Sequence, residues 1–380
     1  MDPGSAEIVF DCDFFRIYSD GRVERFAGME TVPAGFDADT GVTSKDVVVD
    51  AATGIATRLY LPAIPTAPSS PQSDGNGNGN GSATAKLPIL VIFHGGGFVI
   101  GSPADPGFHR YMNSLVASAR VVAVSVGYRL APENPLPAAY EDSWTALNWA
   151  VSGADPWLSA HGDLGRVFVA GYSAGSNIAH NMAIAAGVRG LRAAEPPRVE
   201  GVILLHPSFA GEQRMEEEDD RFWQVNKRRW KAIFPGARDG LDDPRINPVV
   251  AGAPSLAKLV GERLLVCTAS EDPRAPRGRA YCEAVRASCW PGKVESFESQ
   301  NEGHGFFVSG HGSTQAIALM DRVFDSLMTP MIARVATVSL RPTLAIGVDQ
   351  PSLNYHSSQR LVNPSDKALS PWNKTTPPIS

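Results

Sequence analysis

Short apolar runs alternate along the chain with longer stretches of helical periodicity. Continuous apolar runs at Ile89 to Phe93, Val121 to Val126, Val167 to Ala170, Val202 to Leu205 and Leu264 to Thr268 predict strands buried on both faces, as in a parallel sheet. Between and after them, Phe108 to Ala119, Pro137 to Val151, Ser176 to Ala186, Arg277 to Ala287 and Thr314 to Met328 read as helices. Upstream, Val47-Val48-Val49 and Thr57 to Leu61 flank a Thr53-Gly54 turn and predict a strand pair that starts the sheet. Strand alternating with helix specifies an α/β layered domain around a largely parallel sheet.

Four segments break the rhythm. Residues 1 to 40 mix aromatic and charged side chains (Phe14, Phe15, Ile17, Tyr18) around an Asp20-Gly21 turn and predict a cover laid over the rest. Residues 209 to 245 carry an acidic run, Glu216 to Asp220, and a Trp/Arg-rich run, Phe222 to Trp230. They predict an inserted helical cap whose charge run is a solvated face. Pro62 to Lys86 is Pro-, Ser-, Gly- and Asn-rich, and predicts a mobile surface loop. The last stretch, 331 to 380, lacks periodicity and predicts a disordered tail, leaving residues 1 to 330 as the folded domain.

Of the 380 residues, 43% are hydrophobic and 19% charged, enough apolar material for a sizeable core. The formal net charge of -6 provides no basic field for phosphates, which argues against nucleic acid or a membrane as partner. A small neutral molecule fits better, and the oligomeric state is not legible. Cys12, Cys267, Cys282 and Cys289 form no C-x-x-C pair and read as buried reduced thiols. The N-terminus has neither the basic region nor the apolar core of a secretory signal, and no apolar run is long enough to span a membrane. A cytoplasmic location is the expectation.

The chemistry concentrates in two glycine-rich loops. Gly171-Tyr172-Ser173-Ala174-Gly175 follows a strand run and precedes a helix, the context in which G-x-S-x-G forms a nucleophile elbow. His94-Gly95-Gly96-Gly97-Phe98 follows the run ending at Phe93. Its backbone N–H groups can approach an oxyanion unobstructed by side chains. Gly95, Gly96 and Ala174, the residue after the serine, are the expected donors. Neither G-K-[ST] nor G-x-G-x-x-G follows, which disfavours a phosphate-binding loop.

In this arrangement the acid and then the histidine follow the nucleophile along the chain. His304, in Glu302-Gly303-His304-Gly305, is the expected base, with His311 the rival. His180 and His206 read as structural, and His356 lies in the tail. Asp272, just past the run Leu264 to Thr268, is the expected acid, with Glu271 the competitor. Phe14, Phe15, Phe98, Phe209, Phe222 and Trp223 are candidates for a pocket wall, although core packing accounts for each alone.

His94-Gly95-Gly96-Gly97, Tyr128-Arg129-Leu130-Ala131-Pro132-Glu133, Gly171 to Gly175, Asp243-Pro244-Arg245-Ile246-Asn247-Pro248 and the Glu302-Gly303-His304 loop resemble the plant carboxylesterase branch of the hormone-sensitive-lipase-like α/β-hydrolases. The resemblance spans roughly residues 7 to 330. It implies a carboxylesterase acting on small-molecule acyl esters with no metal or organic cofactor. It also brings in two relatives, gibberellin receptors that lack the catalytic histidine and 2-hydroxyisoflavanone dehydratases that use a similar site. His304 disfavours the receptor reading, while the dehydratase reading stays open, since a base beside an oxyanion hole can also promote loss of water. The chain departs from the family pattern at Pro273-Arg274-Ala275-Pro276.

Overall fold

The computed structural model describes residues 6–64, 85–193, 195–310 and 312–329. The tail from 330, most of the Pro/Gly/Asn-rich loop, His311 and His356 lie outside the described residues.

Three short strands, β1 (Ile8–Asp11), β2 (Phe15–Tyr18) and β3 (Val23–Arg25), form a small antiparallel sheet. The main sheet begins with β4 (Thr43–Asp50) and β5 (Ile55–Leu61), an antiparallel pair joined across Ala51 to Gly54. It continues through β6 (Leu87–Phe93), α1 (Pro106–Ala119), β7 (Val122–Val126), α2 (Ala138–Ser152) and α3 (Pro156–His161). Then come β8 (Gly162–Tyr172), α4 (Ala174–Arg189), β9 (Val199–Leu205) and α5 (Asp220–Ile233). The unit closes with β10 (Arg263–Ala269), α6 (Ala275–Ala287), β11 (Lys293–Ser299), α7 (Phe306–Ser309) and α8 (Thr314–Met328).

The eight strands stand in the order β11-β10-β9-β8-β6-β7-β5-β4, and β7, β6, β8, β9, β10 and β11 run parallel. Side chains two apart along each strand share a face. Leu90 and Ile92, Phe168 and Ala170, Ile203 and Leu205, and Leu265 and Cys267 pack with Phe108, Met112 and Leu115 of α1 and Leu319 and Val323 of α8. α2 lies against β4 to β7 and α4 against β6, β8 and β9, and α4 is buried nearly from end to end. The inner parallel strands β6 to β10 are buried, so their sequences carry continuous apolar runs rather than alternating ones.

Of the two segments expected to form a cover, the first holds the small sheet and the second a helix. One helix, α5, packs beside β1 of the small sheet. Residues Asn226, Arg229, Trp230 and Ile233 form its buried face at helical spacing. Trp230 lies against Phe98 with ring centroids 5.5 Å apart, so this face caps the loop after β6. Arg25 of β3 clasps the cover to that loop, bonding the carbonyls of Val99 and Ala131 and pairing with Glu133 at 2.7 Å.

Two expectations need correction. The acidic run is not wholly solvated: Glu218 is buried and receives a bidentate bond from Arg277, at 2.5 and 2.8 Å. A buried carboxylate is tolerated when paired this way. Nor are all the thiols buried: Cys267 and Cys282 are, but Cys12 is half-buried and Cys289 exposed.

Candidate active site

β8 ends at Tyr172 and α4 begins at Ala174, so Ser173 makes the whole turn by itself, with φ 55° and ψ -115°. L-residues rarely hold a positive φ, and such strain persists only where the surroundings fix it. The Ser173 N–H bonds the Leu205 carbonyl at 2.8 Å, and the Ser176 hydroxyl sits on the carbonyls of Gly171 and Leu205. A Cβ at Gly171 would stand 2.0 Å from the Gly175 oxygen, and one at Gly175 2.0 Å from the Phe93 oxygen. Only glycine at both places lets strand, turn and helix close this tightly.

His304 arrives from the far edge of the sheet, on the loop between β11 and α7. Its Nε2 lies 2.7 Å from Ser173 Oγ and its Nδ1 2.6 Å from Asp272 Oδ2. Asp272 sits in the turn after β10, buried, with Oδ1 accepting the Arg274 N–H at 3.0 Å. Glu271 is exposed and sends only its backbone N–H to this region, onto the Glu302 carbonyl. Gly305 is required behind the histidine, because at φ 73° a Cβ there would stand 1.9 Å from the Tyr172 hydroxyl.

Burial raises the pKa of Asp272, but the His304 hydrogen bond and the charges of His304 and Arg274 outweigh it and hold the group at about 2. Burial lowers the pKa of His304, and the charge of Arg274 adds to this, against the opposing pull of Asp272. A carboxylate that stays ionised beside a neutral imidazole fixes the tautomer with the proton on Nδ1, leaving Nε2 free to accept.

The glycine loop after β6 approaches from the other side. The carbonyls of His94, Gly95 and Gly96 are all occupied: Tyr128 Oη donates to His94 O at 2.8 Å, His94 Nδ1 reaches Gly95 O at 2.7 Å, and Gly96 O accepts from Val99 and Ile100. His94 is buried, stacks on Tyr128 at 4.2 Å, and burial takes its pKa down to about 4, so it is a neutral donor. Gly96 has φ +106°, and a Cβ there would meet the Ile100 carbonyl oxygen at 2.0 Å. A Cβ on Gly95 would stand 3.3 Å from that of Ser173, so this loop runs directly against the serine. Ala174 is the first residue of α4, where the backbone N–H has no intrahelical acceptor.

Four supporting residues were not legible from sequence. Tyr128, from the motif at 128 to 133, holds the glycine loop; Arg129 of the same motif grips Asp142 on α2 through bonds of 2.6 to 3.0 Å. Asn177 on α4 ties the carbonyls of Ser208 and Arg245 together, which explains the motif at 243 to 248 as a clamp on the helix behind the serine. His206 accepts the Gly305 N–H. Among the described residues, the one grouping of metal-ligand side chains close enough to share an ion is His206, Asp272 and His304, and its Nδ1 atoms are already engaged by Gly305 and Asp272. His180 is buried and bonded to Tyr281, as a structural histidine. Of the aromatic candidates, Phe15, Phe98 and Phe209 are core residues, Phe222 and Trp223 are half-buried, and Phe14 is exposed.

A parallel sheet with a strained serine turn between strand and helix at its centre and a histidine loop at its edge defines an α/β hydrolase, and residues 90–308 match the family model described as alpha/beta hydrolase fold. The chain belongs to that family, within its plant carboxylesterase type, and is a carboxylic ester hydrolase. It is 40% identical over 329 residues to tuliposide A-converting enzyme 1, chloroplastic, of Tulipa gesneriana, covering 84% of this chain and 78% of that protein. It is 38% identical to probable carboxylesterase 4, mitochondrial, of Arabidopsis thaliana, covering 84% of each. The solved structure of esterase LipW from Mycobacterium marinum superposes with a TM-score of 0.60 at 25% identity, over 76% of this chain and 82% of that one. The expected cytoplasmic location is overturned by these relatives, whose names place them in chloroplast and mitochondrion. No helix among the described residues is long and apolar enough to cross a membrane.

Proposed function

We propose that the protein is a serine carboxylesterase in which Ser173 is the nucleophile, His304 the general base, Asp272 its orienting acid, and the N–H groups of Gly95, Gly96 and Ala174 the oxyanion hole. The observation that carries this reading is the unbroken relay from Ser173 Oγ through His304 to Asp272, with bonds of 2.7 and 2.6 Å.

The chemistry follows from the arrangement. His304 Nε2 takes the hydroxyl proton as Ser173 Oγ attacks the ester carbonyl, and the developing oxyanion is met by the three N–H groups. Asp272 stabilises the imidazolium without taking its proton. Protonated His304 then hands its proton to the departing alcohol, and water, deprotonated by the same nitrogen, releases the acid from the acyl-enzyme. Each step uses groups the chain itself supplies, with a small-molecule ester and water as the reactants. In this reading the segments 6 to 40 and 209 to 245 form the cover over one 330-residue hydrolase domain.

Hydrolysis of p-nitrophenyl acetate and butyrate by wild type, Ser173→Ala and His304→Ala tests the assignment. Both variants should lose at least about 10³-fold in kcat. Ordinary saturable turnover retained by folded Ser173→Ala would refute it.

A further inference from the structure

The buried face of α5 carries an arginine where helical spacing calls for a core residue. Arg229 is 5% exposed, and among the described residues it forms no ion pair with a carboxylate. Its Nη2 bonds Ser208 Oγ at 3.2 Å and Asn226 Oδ1 at 2.8 Å. Its Nε is buried without an acceptor. Its Nη1 faces the glycine loop, 2.9 Å from where a Cβ on Gly97 would stand. Ser208 in turn donates its own N–H to the Ser173 carbonyl. The guanidinium therefore spans the gap between the oxyanion loop and the segment beside the nucleophile.

A second cation lies close by. Arg274, at the site's other flank, has its guanidinium 3.6 Å from Asp272 and stacked over Phe222 of α5 at 4.9 Å, with Nε buried and unpartnered. Among the described residues, Asp272 is the one carboxylate paired with either arginine, and it is shared with His304. The charges of both guanidinium groups act on His304, whose imidazole they help keep neutral, inside a protein of net charge -6. A buried cation without a partner is costly and is retained where something else supplies the counter-charge. Burial, and then the charge of Arg274, bring Arg229 down to about 9, so it stays cationic at neutral pH.

We infer that the site takes esters bearing a carboxylate, which Arg229 binds through Nη1, with Arg274 adding to the attraction. The inference rests on the serine esterase reading and names the substrate class of that site. A guanidinium N–H makes a charge-assisted hydrogen bond to a carboxylate, and next to a buried cation that bond favours the charged ester over a neutral one of the same shape.

Matched probes separate charge from shape. They are 3- and 4-acetoxybenzoate against their methyl esters, with the carboxylate on the alcohol side, and p-nitrophenyl hydrogen adipate against p-nitrophenyl methyl adipate, with the carboxylate on the acyl side. Wild type should prefer the anionic member of at least one pair by about ten- to a hundredfold in kcat/KM. Arg229→Gln should erase that preference while hydrolysing the neutral members within about threefold of wild type, and Arg229→Lys should restore part of it. A merely structural arginine would lower both members alike. Wild type that hydrolyses both members equally, or a preference that survives in Arg229→Gln, overturns the inference while leaving the esterase reading intact. Wild type inert to every ester and to fluorophosphonate overturns both.

Discussion

The Nδ1 atom of His206 accepts the backbone N–H of Gly305 at 3.0 Å, tying the end of the central strand β9 to the loop that carries His304. Burial takes the pKa of His206 down to about 3, with the charge of His304 adding to this, so its ring stays neutral and Nδ1 stays an acceptor. A buried N–H left without its acceptor costs roughly 1–3 kcal/mol. Here the cost falls on the residue next to His304. His206→Phe, which keeps the ring and removes the acceptor, should lower kcat about tenfold while leaving KM within a factor of about two. Steady-state kinetics on p-nitrophenyl butyrate check this, with a melting curve to confirm the fold.

The pH dependence of hydrolysis follows from His304. Burial, reinforced by Arg274, lowers its pKa from 6.5, so the neutral, proton-accepting form prevails at neutral pH and is lost only in acid. The rate in kcat/KM should rise with pH to a plateau through an apparent pKa below 6.5. Arg274→Met removes one cause of the depression and should move this limb toward higher pH. A limb that stays in place or shifts to lower pH would contradict the role given to Arg274.

Acid stability depends on different histidines. Burial lowers His94 to about 4 and His180 and His206 to about 3, whereas each titrates near 6.5 once unfolded. Between these limits the unfolded chain binds more protons than the folded one, so stability is full above about pH 6.5 and declines as the pH falls. Each histidine contributes up to about 1.4 kcal/mol per pH unit within that window. Asp272 adds its share only lower, between 3.8 and about 2. Guanidinium unfolding midpoints should therefore drop steeply from pH 6.5 to 5, and a flat profile there would show that these rings do not stay neutral in the fold.

The parallel strands were legible because burial on both faces demands uninterrupted apolar runs, as at Ile89 to Phe93. The edge strand β11 was not: its sequence, Lys-Val-Glu-Ser-Phe-Glu-Ser, alternates and is only partly buried. The three cover strands are short and pair only with one another, so their residues carry mixed signals of exposure and packing. At the site, Ser173, Asp272 and His304 stood out through local glycines and their order along the chain. Tyr128 and His206 act through bonds 33 and 99 residues away in sequence, to Gly95 and Gly305, and Arg229 faces the distant Gly97. No local pattern reports such partners. Arg229 in particular resembles any charged residue of a Trp/Arg-rich run until the helix is seen to turn it inward.

If Ser173 is a nucleophile activated by His304, intact-mass analysis after treatment with a fluorophosphonate will show it. A single adduct should map to the peptide carrying Ser173, absent in Ser173→Ala and slowed by at least about a hundredfold in His304→Ala. A folded wild-type protein that takes up no label, or one labelled equally in Ser173→Ala, would contradict it and point instead to a binding protein on the same fold.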